Sequence, residues 1–470
     1  MLLLAALAFG QPYDHVTITT NAFASSFAPL GQFVEQNLGL SDTTVTVEYI
    51  LSHYPGADEA EKVRNFIKYA YSNWGTSHIL LGGDAEIVPC RLVWARCWWA
   101  NITLLMPSDL YYSDLDGDWN ADDDTIFGEM DDSIDLYPDV FVGRLPADDT
   151  VGAGRMAAKF VSYCSDSTAS YLTNVLLTGF DIDDSTFGYS TAEFYDSTLL
   201  PEAMRPCTKV YEYSTGRHKQ AILDALNAGQ HLFVHLEHCD ATRLGAGWLR
   251  HGLVISRDEL YNLANGSDYS IMVLSFACFT GCFDTSECAI EYALYAPNGG
   301  AVAALGNSRY GLYGRDAGQN PQRTLSALQG ERFLQLLFAG GPASLERFAQ
   351  MQASLVPLAD TSEPDRWCIY TLNLFGEPSM PVWIPGATGA AEPTRPAGQS
   401  VAAAWPSHVS RSLVLAGREP LTMTDALGRT LMLLKPGLNN LERVPPGVYF
   451  LRTADPSGRF AGRIAKVREE

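Results

Sequence analysis

His231-Leu-Phe-Val-His235-Leu-Glu237-His238-Cys239-Asp240 and Ile271-Met-Val-Leu-Ser275-Phe-Ala-Cys278-Phe-Thr-Gly281-Cys-Phe-Asp284 are two short apolar runs, each ending in polar and reactive residues. Such a run, bounded in this way, reads as a strand buried on both faces. Residues just past its end emerge at the edge of a sheet, where open α/β folds build their sites. A His at one strand end and a Cys at another supply a nucleophile and the group that handles its proton. The two stretches therefore predict an α/β sheet with a cysteine site on its edge.

The flanking sequence extends this pattern. Val45–Ile50 predicts a strand, and 58–70 has apolar residues at helical spacing (Val63, Phe66, Ile67, Ala70). Ser77–Leu81 predicts a buried strand that ends in Gly82-Gly83-Asp84. After Arg155 come a helix to Tyr163, a strand over Asn174–Thr178, a helix over Ala192–Leu200 and a strand over Lys209–Tyr213. Then follow a helix over Arg217–Leu226, the strands that open this section, and a strand over Gly300–Leu305. Such alternation implies a parallel sheet with helices on its faces. The expected architecture is α/β, with two parallel-sheet subdomains side by side over 11–150 and 151–385. Residues 386–404, rich in Gly, Ala, Pro and Thr, read as a linker. From 405 to 470 short strands and turns predict a small all-β sandwich.

A chain of 470 residues is too long for one compact core. With 47% hydrophobic and 18% charged residues it is globular, and its net charge of −22 argues against nucleic acid as a partner. No run is long enough to span a membrane. Residues 1–10, Met1-Leu-Leu-Leu-Ala-Ala-Leu-Ala-Phe-Gly10, resemble a secretory signal without its basic start, so a secreted or cell-surface protein is expected. Nine Cys, an odd number, leave at least one unpaired thiol, and no CxxC pair suggests structural zinc. For Cys282, three readings stay open: a resolving thiol, a disulfide partner of Cys288, or a packed side chain.

Blocks from Tyr13 to Pro381 together resemble the gingipain family of cysteine peptidases. In order they are Tyr13-Asp-His-Val-Thr-Ile-Thr19, Lys62-Val-Arg-Asn-Phe-Ile67, Leu80-Leu-Gly-Gly-Asp84 with Val88-Pro89, and Pro138-Asp-Val-Phe-Val-Gly-Arg144. The His238 and Cys278 blocks follow, then Gly299-Gly-Ala-Val302, Gly306-Asn-Ser308 and Asn373-Leu-Phe-Gly-Glu-Pro378. The resemblance implies a caspase-like fold and cleavage of protein or peptide substrates through a thioacyl intermediate. It makes Cys278 the nucleophile, His238 the general acid, and the backbone N–H groups of Cys278 and Cys239 the oxyanion hole. The family prefers Arg or Lys before the scissile bond through an acidic pocket residue, a role that falls to Glu193 or Asp196. The C-terminal stretch, with Asp425-Ala-Leu-Gly-Arg429 and Gly447-Val-Tyr-Phe-Leu-Arg452, resembles the sorting domain of the type IX secretion system, which implies that machinery as a partner.

A carboxylate that orients the His would complete the site. Asp181, after the strand that ends at Thr178, is the first candidate, with Asp183 and Asp184 as alternatives. His235, on the same strand side as Glu237, is a rival base. Glu237 departs from the family, which has Gly before the His. If that Gly serves a left-handed backbone or a close approach, Glu would be strained and activity lost, which would leave a surface binding or adhesion protein.

Asp114-Leu-Asp116-Gly-Asp118-Trp-Asn120-Ala-Asp122-Asp-Asp124 puts oxygen ligands on alternate residues, with Glu129 as a bidentate closer. That pattern suits a structural calcium ion. A phosphatase-type Asp-x-Asp-Gly reading needs an apolar strand before the first Asp, which is missing. Lys62 and Arg64 read as a solvated helix face. Asp84 and Arg144 read as interface or cleft residues without an assigned role.

Overall fold

The computed structural model describes residues 12–385, except 214–215, 286, 315–324 and 341–342, and beyond them separate segments between 408 and 466. The signal-like segment and the linker lie outside the described residues.

The strands in chain order are β1 His15–Thr19, β2 Asp42–Thr46, β3 His78–Gly82, β4 Leu92–Cys97, β5 Ile102–Pro107, β6 Phe141–Leu145, β7 Val175–Gly179 and β8 Thr208–Tyr211. Then come β9 Leu232–Leu236, β10 Cys239–Asp240, β11 Arg243–Gly245, β12 Val254–Ser256, β13 Ser270–Leu274, β14 Ala301–Asn307 and β15 Leu372–Phe375. Ten of them form one sheet in the order β2-β1-β3-β6-β15-β14-β13-β9-β7-β8. Every pairing in it is parallel except β14 with β15. The five strands on one side of that join therefore run opposite to the five on the other.

The two expected halves do lie side by side, but they share a sheet. β15 closes the seam between them, pairing with β14 and, through Phe375 and Arg144, with β6. Every residue of β1, β3, β6, β7, β9, β13 and β14 is buried, so both faces are covered.

Local signals set most boundaries. The helix Glu59–Trp74 starts where Asp58 accepts from the Glu61 N–H and stops at Gly75, which takes φ +76. The expected strand over Val45–Ile50 is corrected. β2 ends at Thr46, whose hydroxyl caps the helix Val47–His53. Arg64 is corrected too. It lies on the buried stripe with Ala60, Val63 and Ile67, and its guanidinium binds the carbonyls of Asp114 (2.7 Å) and Gly117 (2.9 Å).

Buried charges fasten the sheet. Arg144 forks onto Asp109 at 2.8 and 2.7 Å and also reaches the Gly83, Asp84 and Val88 carbonyls. His15 lies between Asp42 (2.7 Å) and Glu377 (3.0 Å).

Past 408, the described strands form one five-stranded and one two-stranded sheet, so the expected sandwich is present only in part. This unit is docked on the α/β body: Phe450 packs with Phe141, Ala349 and Ala353, and Arg452 meets Glu346 at 2.9 Å. No helix among the described residues is long and apolar enough to cross a membrane.

Candidate active site

β9 and β13 are neighbours in register, Ile271 opposite Leu232 and Val273 opposite Val234. Both run the same way, so the chain leaves them at one edge, carrying His238 from β9 and Cys278 from β13. Burial, and to a smaller extent the nearby Cys278, pushes the Cys239 thiol well above the usual range.

The turn that bears Cys278 is held from several sides. Asn307 Nδ2 donates to the carbonyls of Ser275 (2.7 Å) and Ala277 (2.9 Å). Phe279, directly after the thiol, takes φ +56 and donates its N–H to the Arg309 carbonyl at 2.8 Å. A left-handed aromatic residue is strained, and it persists only where its surroundings hold it. Arg309 supplies part of that hold by forking onto Asp284 at 2.8 and 2.6 Å.

The Cys278 thiol donates to the Gly311 carbonyl at 3.7 Å. Gly311 permits that approach, since a Cβ there would sit 2.5 Å from the Phe276 carbonyl oxygen. Burial pushes the Cys278 thiol up to about 11, so it rests protonated at neutral pH. Among the described residues nothing accepts the Cys278 backbone N–H.

His238 is partly exposed, and its Nε2 lies 2.7 Å from the Ile182 carbonyl oxygen. A carbonyl only accepts, so Nε2 carries the proton and the neutral ring keeps Nδ1 as its base. His235, the rival, is fully buried, its Nδ1 2.6 Å from Thr178 Oγ1, and burial depresses it to about 3. It is a core residue.

Asp181 does not hold the imidazole. Its buried carboxylate meets Arg250 at 2.5 Å, and the backbone of the next residue orients the ring instead. Asp183 accepts the Tyr313 hydroxyl at 2.9 Å, and the Tyr313 ring stacks on Phe276, two residues before Cys278. Burial pushes the Asp183 carboxyl up, but hydrogen bonds from Ser185, Tyr313 and Thr186 outweigh this and hold it near about 2. Asp184 is exposed. The pocket acids also fall elsewhere: Lys209 engages Glu193 (2.8 Å) and Asp196 (2.6 Å) beside the edge strand β8.

The acidic loop divides its ligands. One carboxylate oxygen from each of Asp114, Asp116 and Asp139 falls within 4.8 Å of the others, and Asp122, Asp124 and Glu129 form a second such group. Asp118 belongs to neither group, and both it and Asn120 are engaged in the turns of the loop. Their side chains accept the backbone N–H groups of Asn120 (3.2 Å) and Thr125 (3.0 Å). The first group suits a hard cation. Asp114 is fully buried, and burial and Asp135 push its carboxyl up to about 8, with the Arg64 guanidinium 3.9 Å away.

The sequence had not pointed to the Ile182 carbonyl, Arg250, Glu212, Gly311 or Asp139. A backbone acceptor leaves no side-chain signature, and the others act across long separations. Cys282 and Cys288 are thiols hydrogen-bonded to each other.

The model of peptidase family C25 matches residues 9–383. Among solved structures, the Arg-specific cysteine proteinase gingipain R (RgpB) superposes with a TM-score of 0.59 at 15% identity, over 98% of each chain. The complex of Porphyromonas gingivalis RgpB pro- and mature domains gives 0.59 at 16%, over 97% of this chain and 100% of that one. At these identities the likeness shows the fold. Comparison with curated protein sequences gives no match.

Proposed function

The chain belongs to peptidase family C25 and is a cysteine-type peptidase, and from that premise we propose that Cys278 is its nucleophile and His238 its proton carrier. The Cys278 sulfur attacks the peptide carbonyl carbon and its proton passes to His238 Nδ1. The oxyanion is received by the backbone N–H groups of Cys278 and Cys239. Nδ1 then gives its proton to the departing amine as the C–N bond breaks, and water hydrolyses the thioacyl intermediate.

The observation that carries this reading is the His238 Nε2 bond to the Ile182 carbonyl, which leaves Nδ1 as the free base one strand from Cys278. The high thiol pKa fits an order in which the proton leaves as substrate closes the site, with no standing thiolate. Asp181 then serves the site through Arg250. A basic side chain before the scissile bond remains the expected preference, and Asp183, which accepts from the Tyr313 hydroxyl at 2.9 Å, is an anionic group on the loop that carries Ile182.

Asp114, Asp116 and Asp139 would hold a structural calcium, and Asp122, Asp124 and Glu129 a second ion. Such ions would neutralise the carboxylates and pin the loop. The signal-like segment supports export to the medium or cell surface. The C-terminal strands support sorting by the type IX secretion machinery, on resemblance alone.

The test is cleavage. Purified protein and its Cys278→Ala variant are incubated with a diverse peptide mixture under reducing conditions with calcium, and products are read by mass spectrometry. Cuts that vanish in the variant are expected. Folded, calcium-loaded protein that cuts nothing would favour an inactive, binding relative.

A further inference from the structure

Glu237 is wholly buried directly before His238. Its Oε1 accepts the His238 backbone N–H at 2.8 Å, and the Gly247 N–H approaches the same carboxyl. Gly245 makes the room, since a Cβ there would lie 2.3 Å from Glu237 Cγ. Glu237 is not among the residues with positive φ, so the backbone there is unstrained.

Three neighbouring strand ends each carry an acid at this edge: Glu212 after β8, Asp181 after β7 and Glu237 after β9. A short strap lies against them, the helix Trp248–His251 between Gly247 (φ +91) and Gly252 (φ +60). Its Arg250 meets Asp181 at 2.5 Å and its His251 meets Glu212 at 3.1 Å. His218, buried, stacks edge-on against His251 with ring centres 4.9 Å apart. Glu237 alone of the three is held through a backbone N–H, and its Oε2 is buried with no hydrogen-bond partner among the described residues. Burial, with Glu212 and Asp181 nearby, pushes its carboxyl up to about 8.

We propose that Glu237 is a positioning residue for the peptidase reaction: its carboxyl fixes the His238–Cys239 backbone and ties it to the Gly247–Gly252 strap. The imidazole and the Cys239 N–H then face one carbonyl. The inference rests on the peptidase reading above. A hydrogen bond to one peptide plane sets the direction of the next, and small displacements of a reacting group are costly in rate.

Glu237→Gln keeps an oxygen for the His238 N–H, whereas Glu237→Ala removes it. The Ala variant should lower kcat on the order of 10- to 100-fold at nearly constant KM, with the Gln variant near wild type. A second readout needs no turnover: the pH profile of Cys278 alkylation by iodoacetamide, mapped by mass spectrometry. It should shift in the Ala variant and stay in place in the Gln variant. Circular dichroism and thermal melts confirm folding. The proposal is overturned if the Ala variant keeps full kcat, if Gln loses as much as Ala, or if all three alkylation profiles coincide. Wild-type protein that cleaves nothing would sink the peptidase reading alone, and the alkylation profiles would still decide the role of Glu237.

Discussion

His238 donates from Nε2 to the backbone carbonyl of Ile182 at 2.7 Å, while the carboxylate of Asp181, one residue earlier, faces Arg250. A carbonyl fixes the tautomer as a carboxylate would, but it cannot carry a charge to stabilise an imidazolium. Asp181→Asn should therefore lower kcat only a few-fold, against the loss of about 10²–10⁴-fold expected from His238→Ala. Equal losses in the two variants, measured on one peptide, would return Asp181 to the reacting centre.

His15 is sandwiched by two carboxylates, so its ring must donate from both nitrogens and be charged. Burial opposes that charge, but Glu377 and Asp42 outweigh it and hold the ring at about 10 against 6.5 for an ordinary His. The raised pKa means that the stabilisation is complete below pH 6.5 and is lost as pH climbs toward 10. Urea unfolding at pH 6 and pH 9.5 should show this loss in wild type and a smaller one in His15→Gln. At pH 6 the variant should be less stable by about 3–5 kcal/mol, the cost of breaking a buried pair.

Arg309 braces the Cys278 turn through its fork to Asp284 and through the carbonyl that receives the Phe279 N–H. Lysine keeps the charge but not the fork. Arg309→Lys should cost about 1.5–3 kcal/mol of stability and lower kcat/KM as the turn loosens. A melt and kcat/KM indistinguishable from wild type would remove Arg309 from that role.

The division of the acidic loop makes a separable prediction for calcium. Wild-type Tm should rise with calcium and fall with a chelator, by the equivalent of about 2.7 kcal/mol at a hundred times the Kd. The pair Asp114→Asn and Asp139→Asn should abolish most of that response, and Asp122→Ala with Asp124→Ala a smaller share. Identical melts with and without calcium would exclude a structural ion.

Much of this was legible in the chain, for identifiable reasons. β9 and β13 could be read because their short apolar runs, Leu232-Phe-Val234 and Ile271-Met-Val-Leu274, bounded by polar residues, suit a strand buried on both faces. The orienting group of His238 could not, because a main-chain oxygen is the same at every residue. The acidic loop misled because alternation in sequence implies convergence only on a regular path, and here Asp139 folds back to Asp114 while Asp118 and Asn120 are used in turns. Arg64 was legible but misread. It falls on the stripe of Ala60, Val63 and Ile67, where a charge signals a buried partner. β15 carries no strand signal in the sequence, since the four residues Leu372–Phe375 are too few to show a period.

The place of β15 also sets when this molecule can be finished during its synthesis. Residues made last in the α/β unit fill the gap between β6 and β14, and Asn373 Oδ1 accepts the Asp109 N–H at 2.9 Å from across that seam. A nascent chain that stops before Leu372 already contains His238 and Cys278, yet its two half-sheets each present an open strand edge, the kind that pairs with any neighbour it meets. Assembly of the edge that carries His238 and Cys278 thus waits on a short strand translated nearly a hundred residues after Cys278.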